Sequence, residues 1–273
     1  MILVTGCNGF IGGNLVDALG KSTEQITGID EEYLQEDDWE TCLQATLDRV
    51  NARAIFHVGA CSDTLEKNVE YMMVRNYEAT KVIADWCLKN DRKLIYSSSA
   101  ANFGTNGRYP SNLYGWSKYV AEGYVTKCGG IALRYFNVFG PKECNKGEMA
   151  SFLYQAYFMR KKKQVVRIFP GQPRRDFIYV KDVISANLHA LEHYNEIDAK
   201  WYEVSTGIAT DFEKVLDTAS ISYEYFGEEV IPHGYQFYTC GNPKNWMPNW
   251  EPQYTLEKAI EEYLEFLDEK VVN

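Results

Sequence analysis

Apolar positions along the chain follow two alternating rhythms. Short β-branched or apolar runs, Ile2 to Thr5, Gln25 to Asp30, Ala54 to Val58, Lys93 to Ser97 and Ile131 to Tyr135, read as buried strands. Between them, helical spacing runs near Ile11 to Leu19, Trp39 to Val50, Leu65 to Asn90 and Tyr114 to Lys127. This βαβα order predicts an α/β fold with a Rossmann-type, doubly wound parallel sheet. The stretch from Asp30 to Trp39 is too short for the helix and strand such a sheet normally places there, so the sheet is expected to be trimmed by one strand.

After Gly140 the rhythm changes. Pro141 to Lys146 is a polar loop, Met149 to Lys163 an aromatic-rich helix, and Arg174 to Val180 a strand. Lys181 to Tyr194 and Trp201 to Ser205 return to the sheet as helix and strand, residues 206 to about 253 read as irregular, and Thr255 to Glu269 is a closing helix. The expected division is a sheet domain of residues 1–140 plus about 177–205 and 255–269, with a smaller α/β lobe of about 141–176 plus 206–254.

The 273 residues carry a formal charge of −10, which argues against a nucleic-acid partner. No apolar run is long enough to span a bilayer, and a strand starting just after Met1 leaves no room for a signal peptide, so a cytoplasmic protein without membrane partners is expected. Seven cysteines without a Cys-x-x-Cys pair read as reduced thiols. His189 and His193 have metal-ligand spacing but no third ligand nearby, so no metal is expected. The basic run Arg160 to Lys163 suits a helix end, with a substrate phosphate as the alternative contact.

Candidate chemistry begins in the first βα turn. Gly6, Gly9 and Gly12, with Phe10 and Ile11 between them, have the strand-turn-helix setting that lets backbone approach a pyrophosphate. Asp30 ends the second strand, where a carboxylate can bind an adenosine ribose. Glu31, Glu32, Glu36, Asp37 and Asp38 follow with no cation before Arg49, which favours NAD over NADP, whose 2'-phosphate they would repel. Tyr114 and Lys118 lie one helical turn apart, so the ammonium is expected beside the phenol, favouring its phenolate. Ser99 follows the fourth strand, at the sheet end where ligands bind.

With the glycine turn, Ser99, Tyr114-x-x-x-Lys118 and Arg175-Asp176-Phe177-Ile178-Tyr179-Val180, nearly the whole chain resembles the extended short-chain dehydrogenase/reductases, the NAD-dependent epimerase/dehydratase family acting on nucleotide-sugars. The resemblance implies that Tyr114 is the acid/base on a sugar hydroxyl, that Ser99 bonds the same oxygen, and that Lys118 holds the cofactor ribose. A narrower likeness, to the ADP-glycero-manno-heptose 6-epimerases, rests on His57 to Ser62, Tyr71-Met72-Met73, Asn76-Tyr77, Arg134 to Pro141 and Asn145 to Ser151. It implies Lys146 as a second acid/base. It also implies cofactor contacts at Val58, Gly59, Ala60, Cys61, Ser62, Asn76 and Val138, and substrate contacts at Asn137, Arg175 and Tyr235. Departures from that pattern fall at Glu148, where those enzymes have serine, at Asn145 and Gln155, where they have histidines, and in the short Asp30 to Arg53 stretch.

The expected function is therefore a nucleotide-sugar epimerase, inverting C6'' of an ADP-heptose by transient oxidation to a ketone with tightly bound NAD, or with NADP, which the resembled enzymes often use. An epimerase must work on both faces of one carbon, and this gives a lysine opposite the tyrosine its meaning. Alternatives are a 4-epimerase or reductase on another nucleotide-sugar, or a non-catalytic Rossmann protein that senses NAD or a sugar nucleotide. Dehydration is disfavoured, because Ala100, Ala101 and Asn102 stand where elimination needs a carboxylate. The resemblance also suggests a homo-oligomer.

Overall fold

The computed structural model describes residues 1–21, 23–105, 107–231 and 235–272. In chain order the elements are β1 (Ile2–Thr5), α1 (Phe10–Leu19), β2 (Ile26–Ile29), α2 (Trp39–Val50), β3 (Ala54–His57), α3 (Val69–Met73), α4 (Ala79–Lys89), β4 (Lys93–Ser99), α5 (Leu113–Lys127) and β5 (Ile131–Tyr135). They continue with β6 (Asn137–Phe139), α6 (Phe152–Lys161), β7 (Val166–Ile168), β8 (Arg174–Tyr179), α7 (Val180–Glu192), β9 (Trp201–Val204), β10 (Ala209–Asp211), α8 (Phe212–Thr218), β11 (Tyr223–Tyr225) and α9 (Leu256–Val272).

Six strands form a parallel sheet in the order β2-β1-β3-β4-β5-β9. A doubly wound sheet of this kind carries a further strand outside the second one. Here β2 is the edge, and a 3-10 turn at Glu31–Gln35 leads directly toward α2, so the expected trimming is observed. Alternation along β1 sends Ile2 and Val4 into one core with α1, α7 and α9, and Leu3 into the other with α2, α4 and α5. Both faces are thus covered, as an all-parallel sheet requires. At the carboxyl end of this sheet lie β6, β8 and β10 as a three-stranded sheet, and β7 with β11 as a pair.

Two expectations change. The run Leu65 to Asn90 is not one helix: α3 starts at Val69, where Asn68 caps the Tyr71 N–H at 3.0 Å, and a π-helical turn at Val74–Glu78 separates it from α4. Residues 206–253 are less irregular than their composition suggests, because Asp211 caps the Lys214 N–H at 2.7 Å and starts α8. The basic run closes α6 as expected, but Lys161 pairs with Asp268 of α9 at 2.7 Å and Arg160 reaches the Ala219 carbonyl at 3.4 Å, so these two serve packing and not a phosphate.

Candidate active site

The glycine turn forms a cradle that only glycine permits. Gly6 has φ +64°, and a Cβ there would lie 2.6 Å from the Gly59 Cα; a Cβ on Gly12 would lie 2.0 Å from the Gly6 carbonyl oxygen. Turn, loop 58–62 and helix are therefore at contact distance. The first turn of α1 has no side-chain cap and no acidic residue, so its N–H groups are left for an anion. Asp30 accepts from the Asn8 N–H at 3.0 Å and the Glu31 N–H at 3.1 Å, which aims its carboxylate at the turn and leaves lone pairs for ribose hydroxyls. Glu31 also approaches Arg75 at 3.5 Å, and the Arg75 guanidinium covers the Tyr71 ring at 3.7 Å. This cradle fits a dinucleotide, and its acidic rim suits an unphosphorylated ribose.

A directed chain of hydrogen bonds fixes the loop after β3. The Val58 and Gly59 N–H groups donate to Thr5 Oγ1 at 3.1 and 2.9 Å, and Thr5 Oγ1 lies 2.8 Å from His57 Nδ1. On the other side, His57 Nε2 lies 2.8 Å from Thr80 Oγ1, which donates to the Asn76 carbonyl at 2.8 Å. The Thr80 proton is committed, so the proton of this imidazole sits on Nε2. Burial, with Lys118 nearby, pushes His57 down to about 3, so it is neutral.

Asn76 lies in the π-helical turn, a distortion frequent at functional sites. Its side chain accepts from the Cys61 N–H at 2.8 Å and donates to the Cys61 carbonyl and to Ser117 Oγ, each at 2.9 Å. Asn76 is only 1% exposed. It therefore staples the loop 58–62 to α5. Val58 and Gly59 are half-buried and Ala60 and Ser62 exposed along that loop, and Val138 is half-buried in β6.

Helix α5 begins where Asn112 caps the Gly115 N–H at 2.8 Å, and its first turns carry Tyr114 and Lys118. The phenol of half-buried Tyr114 hydrogen-bonds Ser99, whose hydroxyl also accepts from the Ala101 N–H at 3.1 Å. Buried Lys118 sends its Nζ to 4.5 Å from the Tyr96 ring centroid. The expected lowering of the tyrosine does not occur. Burial lifts the Tyr114 phenol above its ordinary value against the Ser99 bond, while burial pushes Lys118 down to about 7, partly offset by Glu122. A lysine so desolvated is a weak source of positive charge at neutral pH.

Beneath this loop is a buried network that the sequence did not reveal. Glu122 accepts from Arg134 Nε and Nη2 at 2.8 and 2.6 Å, from Ser98 Oγ at 2.6 Å and from Asn102 Nδ2 at 3.0 Å. The Arg134 guanidinium lies 3.7 Å from the Trp201 ring centroid and 4.7 Å from that of Phe103. Asn102 is thus committed to this buried network, and Ala100 and Ala101 have no side chain that could serve as a base.

Lys146 lies on the loop after β6. Asn14 donates to the Pro141 carbonyl at 2.8 Å, and Lys142 reaches the Gly13 carbonyl at 2.9 Å and Asp17 at 2.6 Å, docking that loop on α1. Half-buried Lys146 places its Nζ 5.6 Å from the Phe10 ring centroid, at the glycine turn, and burial pushes its ammonium below the ordinary lysine value. Thr64 meets Met149 at 3.8 Å, so the loop after β3 touches the loop that carries Lys146.

The expected substrate residues divide. Arg175 covers the Tyr235 ring at 5.4 Å, and Asn137 is exposed on β6. Gln155 instead spends its amide on the Glu148 and Ala150 carbonyls at 3.0 and 2.8 Å, bracing its own loop, and Glu148 is exposed. Behind Arg175, buried Asp176 gathers the Thr206, Gly207 and Gly241 N–H groups at 2.8, 2.8 and 3.1 Å. Among the described residues no group of three or more His, Cys, Asp or Glu could hold a metal, and His189 and His193 stack on each other at 4.4 Å.

Residues 2–204 match the NAD dependent epimerase/dehydratase family. The chain is 33% identical to the ADP-L-glycero-D-manno-heptose-6-epimerase of Brachyspira hyodysenteriae (strain ATCC 49526 / WA1), with 98% of each chain covered. That alignment runs over 314 positions, more than the 273 residues here, so the relative carries stretches this chain lacks. Among solved structures, the Helicobacter pylori ADP-L-glycero-D-manno-heptose-6-epimerase superposes with a TM-score of 0.84 at 25% identity, covering 98% of this chain and 96% of that one. The UDP-glucose 4-epimerase of Thermotoga maritima, solved with UDP-glucose, has the same TM-score of 0.84 at 23% identity over 99% of both chains, a likeness of fold. A glycine cradle, a serine-bonded tyrosine with its lysine on α5 and a match spanning all six strands of the main sheet have one reading: the chain belongs to the NAD dependent epimerase/dehydratase family.

Proposed function

We propose that this protein is a nucleotide-sugar epimerase that inverts C6'' of an ADP-heptose by oxidation to a ketone and re-reduction from the opposite face. The observation that carries the reading is that the chain holds two candidate acid/base groups at this site, Tyr114 beside Ser99 on α5 and a desolvated lysine, Lys146, at the glycine turn. The heptose epimerase of Brachyspira hyodysenteriae, identical at 33% of positions, supplies the sugar.

Bound NAD supplies a hydride acceptor that becomes the donor for the return step. With the positive nicotinamide ring of bound NAD offsetting the burial that lifts its phenol and favouring the phenolate, Tyr114, oriented by Ser99, takes the hydroxyl proton as hydride leaves the carbon and the carbinol becomes a ketone. When hydride returns to the other face, Lys146 gives the new alkoxide its proton. Lys118 binds the cofactor ribose, Asp30 the adenosine ribose, and Arg175 with Tyr235 holds the nucleotide, with residues of about 141–176 and 206–254 forming the substrate lobe. Asn137 contacts the sugar. Ala100 and Ala101 offer no base for elimination, which favours epimerisation over dehydration.

Incubation with ADP-D-glycero-D-manno-heptose, with UDP-glucose as control, should invert C6'' of the first by NMR and leave the second unchanged. Tyr114→Phe should lower the rate about 10²- to 10⁴-fold, the usual worth of a positioned acid/base. Epimerisation of UDP-glucose alone would replace the heptose reading with a 4-epimerase. We expect a homo-oligomer, because Leu88 on α4 with Trp116 and Tyr119 on α5 leaves apolar side chains exposed, and a cytoplasmic location, where a nucleotide-sugar substrate and NAD are both at hand; no described helix is long and apolar enough to cross a membrane. Sedimentation analysis checks the assembly.

A further inference from the structure

Glu143 is a carboxylate where the fold has no evident need of one. It is 1% exposed, and its charge must be matched by donors to be tolerated there. Oε1 accepts from the Gly140 N–H at 3.2 Å, from Ser151 Oγ at 2.8 Å and from the Tyr263 hydroxyl of α9 at 2.8 Å, while Oε2 accepts from the Ser151 N–H. Gly140 and Ser151 are the two ends of the loop that carries Lys146. That loop contains three positive-φ positions, Gly140 at 142°, Lys142 at 74° and Gly147 at 54°, and is therefore sharply bent. One buried carboxylate thus ties both ends of the loop, and the closing helix ties the carboxylate.

We propose that Glu143 is the positioning residue of the second acid/base arm: it clamps the loop that presents Lys146 to the glycine turn and supplies the negative charge that keeps that lysine protonatable in a desolvated site. The proposal rests on the reading of Lys146 as an acid/base. Geometry gives the clamp. Its charge acts in the expected sense, since burial lowers Lys146 and Glu143 raises it. The other ionisable groups on or packed around this loop are Tyr154 of α6, whose phenol burial and Glu143 push up, Tyr263 of α9, likewise pushed up, exposed Cys144, Glu148, whose carboxylate is out in solvent, and Lys142, which is spent on Asp17. The neutral phenols, the tied Lys142 and the exposed Cys144 leave Glu143 as the buried negative charge for Lys146.

The test uses full-length protein with NAD bound, each of the two C6'' epimers as substrate, and bound-NADH formation at 340 nm in single turnovers. Oxidation begins at Tyr114 for one epimer and at Lys146 for the other, so the two arms are read separately. Lys146→Met should abolish oxidation of one epimer and largely spare the other. Glu143→Gln should reproduce that asymmetry in part, about 10- to 100-fold, the scale of loss for an ångström-level misplacement. It should also move the limb of the pH–rate profile that belongs to Lys146 to lower pH. Tyr263→Phe, which keeps the charge and loosens the clamp, should show the asymmetric loss without the pH shift, and decides the clamp if Glu143→Gln fails to fold. Equal losses from both epimers in Tyr263→Phe and Glu143→Gln, with no movement of the limb, would overturn the proposal and reduce Glu143 to a fold staple. If Lys146→Met itself is symmetric, the two-base reading falls instead, so the two failures are distinguishable.

Discussion

Replacing Glu122 by alanine removes the carboxylate around which the floor of the catalytic loop is built. The side chain belongs to a residue 3% exposed and accepts four hydrogen bonds from Arg134, Ser98 and Asn102. In its absence Arg134, 6% exposed and held between Phe103 and Trp201, becomes an unpaired buried charge. Breaking such a pair costs about 3–5 kcal/mol, and the buried Ser98 hydroxyl left without its 2.6 Å acceptor adds about 1 kcal/mol. A loss of about 4–6 kcal/mol is a large part of an ordinary folding stability of about 5–15 kcal/mol. It corresponds to roughly 10–20 °C in Tm. Urea unfolding followed by far-ultraviolet circular dichroism would show a lower midpoint with unchanged slope. Glu122→Ala combined with Arg134→Met should recover most of the loss, because no charge is then left unpaired. A single-variant loss below about 1 kcal/mol, or a double variant as unstable as the sum of the singles, would refute the argument, since a buried pair cannot be that cheap to break.

Two further outcomes follow from the charges around the cofactor cradle. Burial depresses Lys118 to about 7 from an ordinary 10.5, so between those values the unfolded chain holds the extra proton and stability rises with pH. The slope is at most about 1.4 kcal/mol per pH unit and vanishes as pH falls below 7; Lys118→Met should flatten it in urea midpoints measured from pH 7 to 10, and parallel profiles would contradict the assignment. Asp30→Ala with Glu31→Ser removes two charges from the ribose rim and releases Arg75 from its 3.5 Å contact with Glu31. NADP binding relative to NAD should rise roughly 10- to 100-fold, the scale of one to two screened charge terms, as read by fluorescence titration; an unchanged ratio would remove this rim from cofactor choice.

The strands, the first two helices and the glycine turn were legible because burial on a sheet leaves a strong periodic trace. The trimmed edge was legible too, because a short stretch after Asp30 cannot hold a helix and a strand. The π-helical turn was not, since one extra residue in a helix hardly alters the apolar pattern around Met72 and Ile83. Helix α8 is only seven residues long, too short for a period to register among the aromatics around it. Glu122, Glu143 and Asp176 read as ordinary charges, because a sequence does not show how many donors converge on a carboxylate. The acidity of Tyr114 was misjudged for a related reason: spacing fixes that Lys118 is near, whereas the depth of burial decides how much charge it carries.

The central claim is that hydride leaves C6'' and returns to it within one bound cofactor while Tyr114 and Lys146 handle the hydroxyl proton. The most direct test is epimerisation of ADP-D-glycero-D-manno-heptose carrying deuterium at C6'', run in ordinary water and followed by NMR. The account predicts a C6'' epimer that keeps its deuterium in full. Inversion with deuterium lost to solvent would contradict it, because the carbon would then have exchanged a proton and not a hydride.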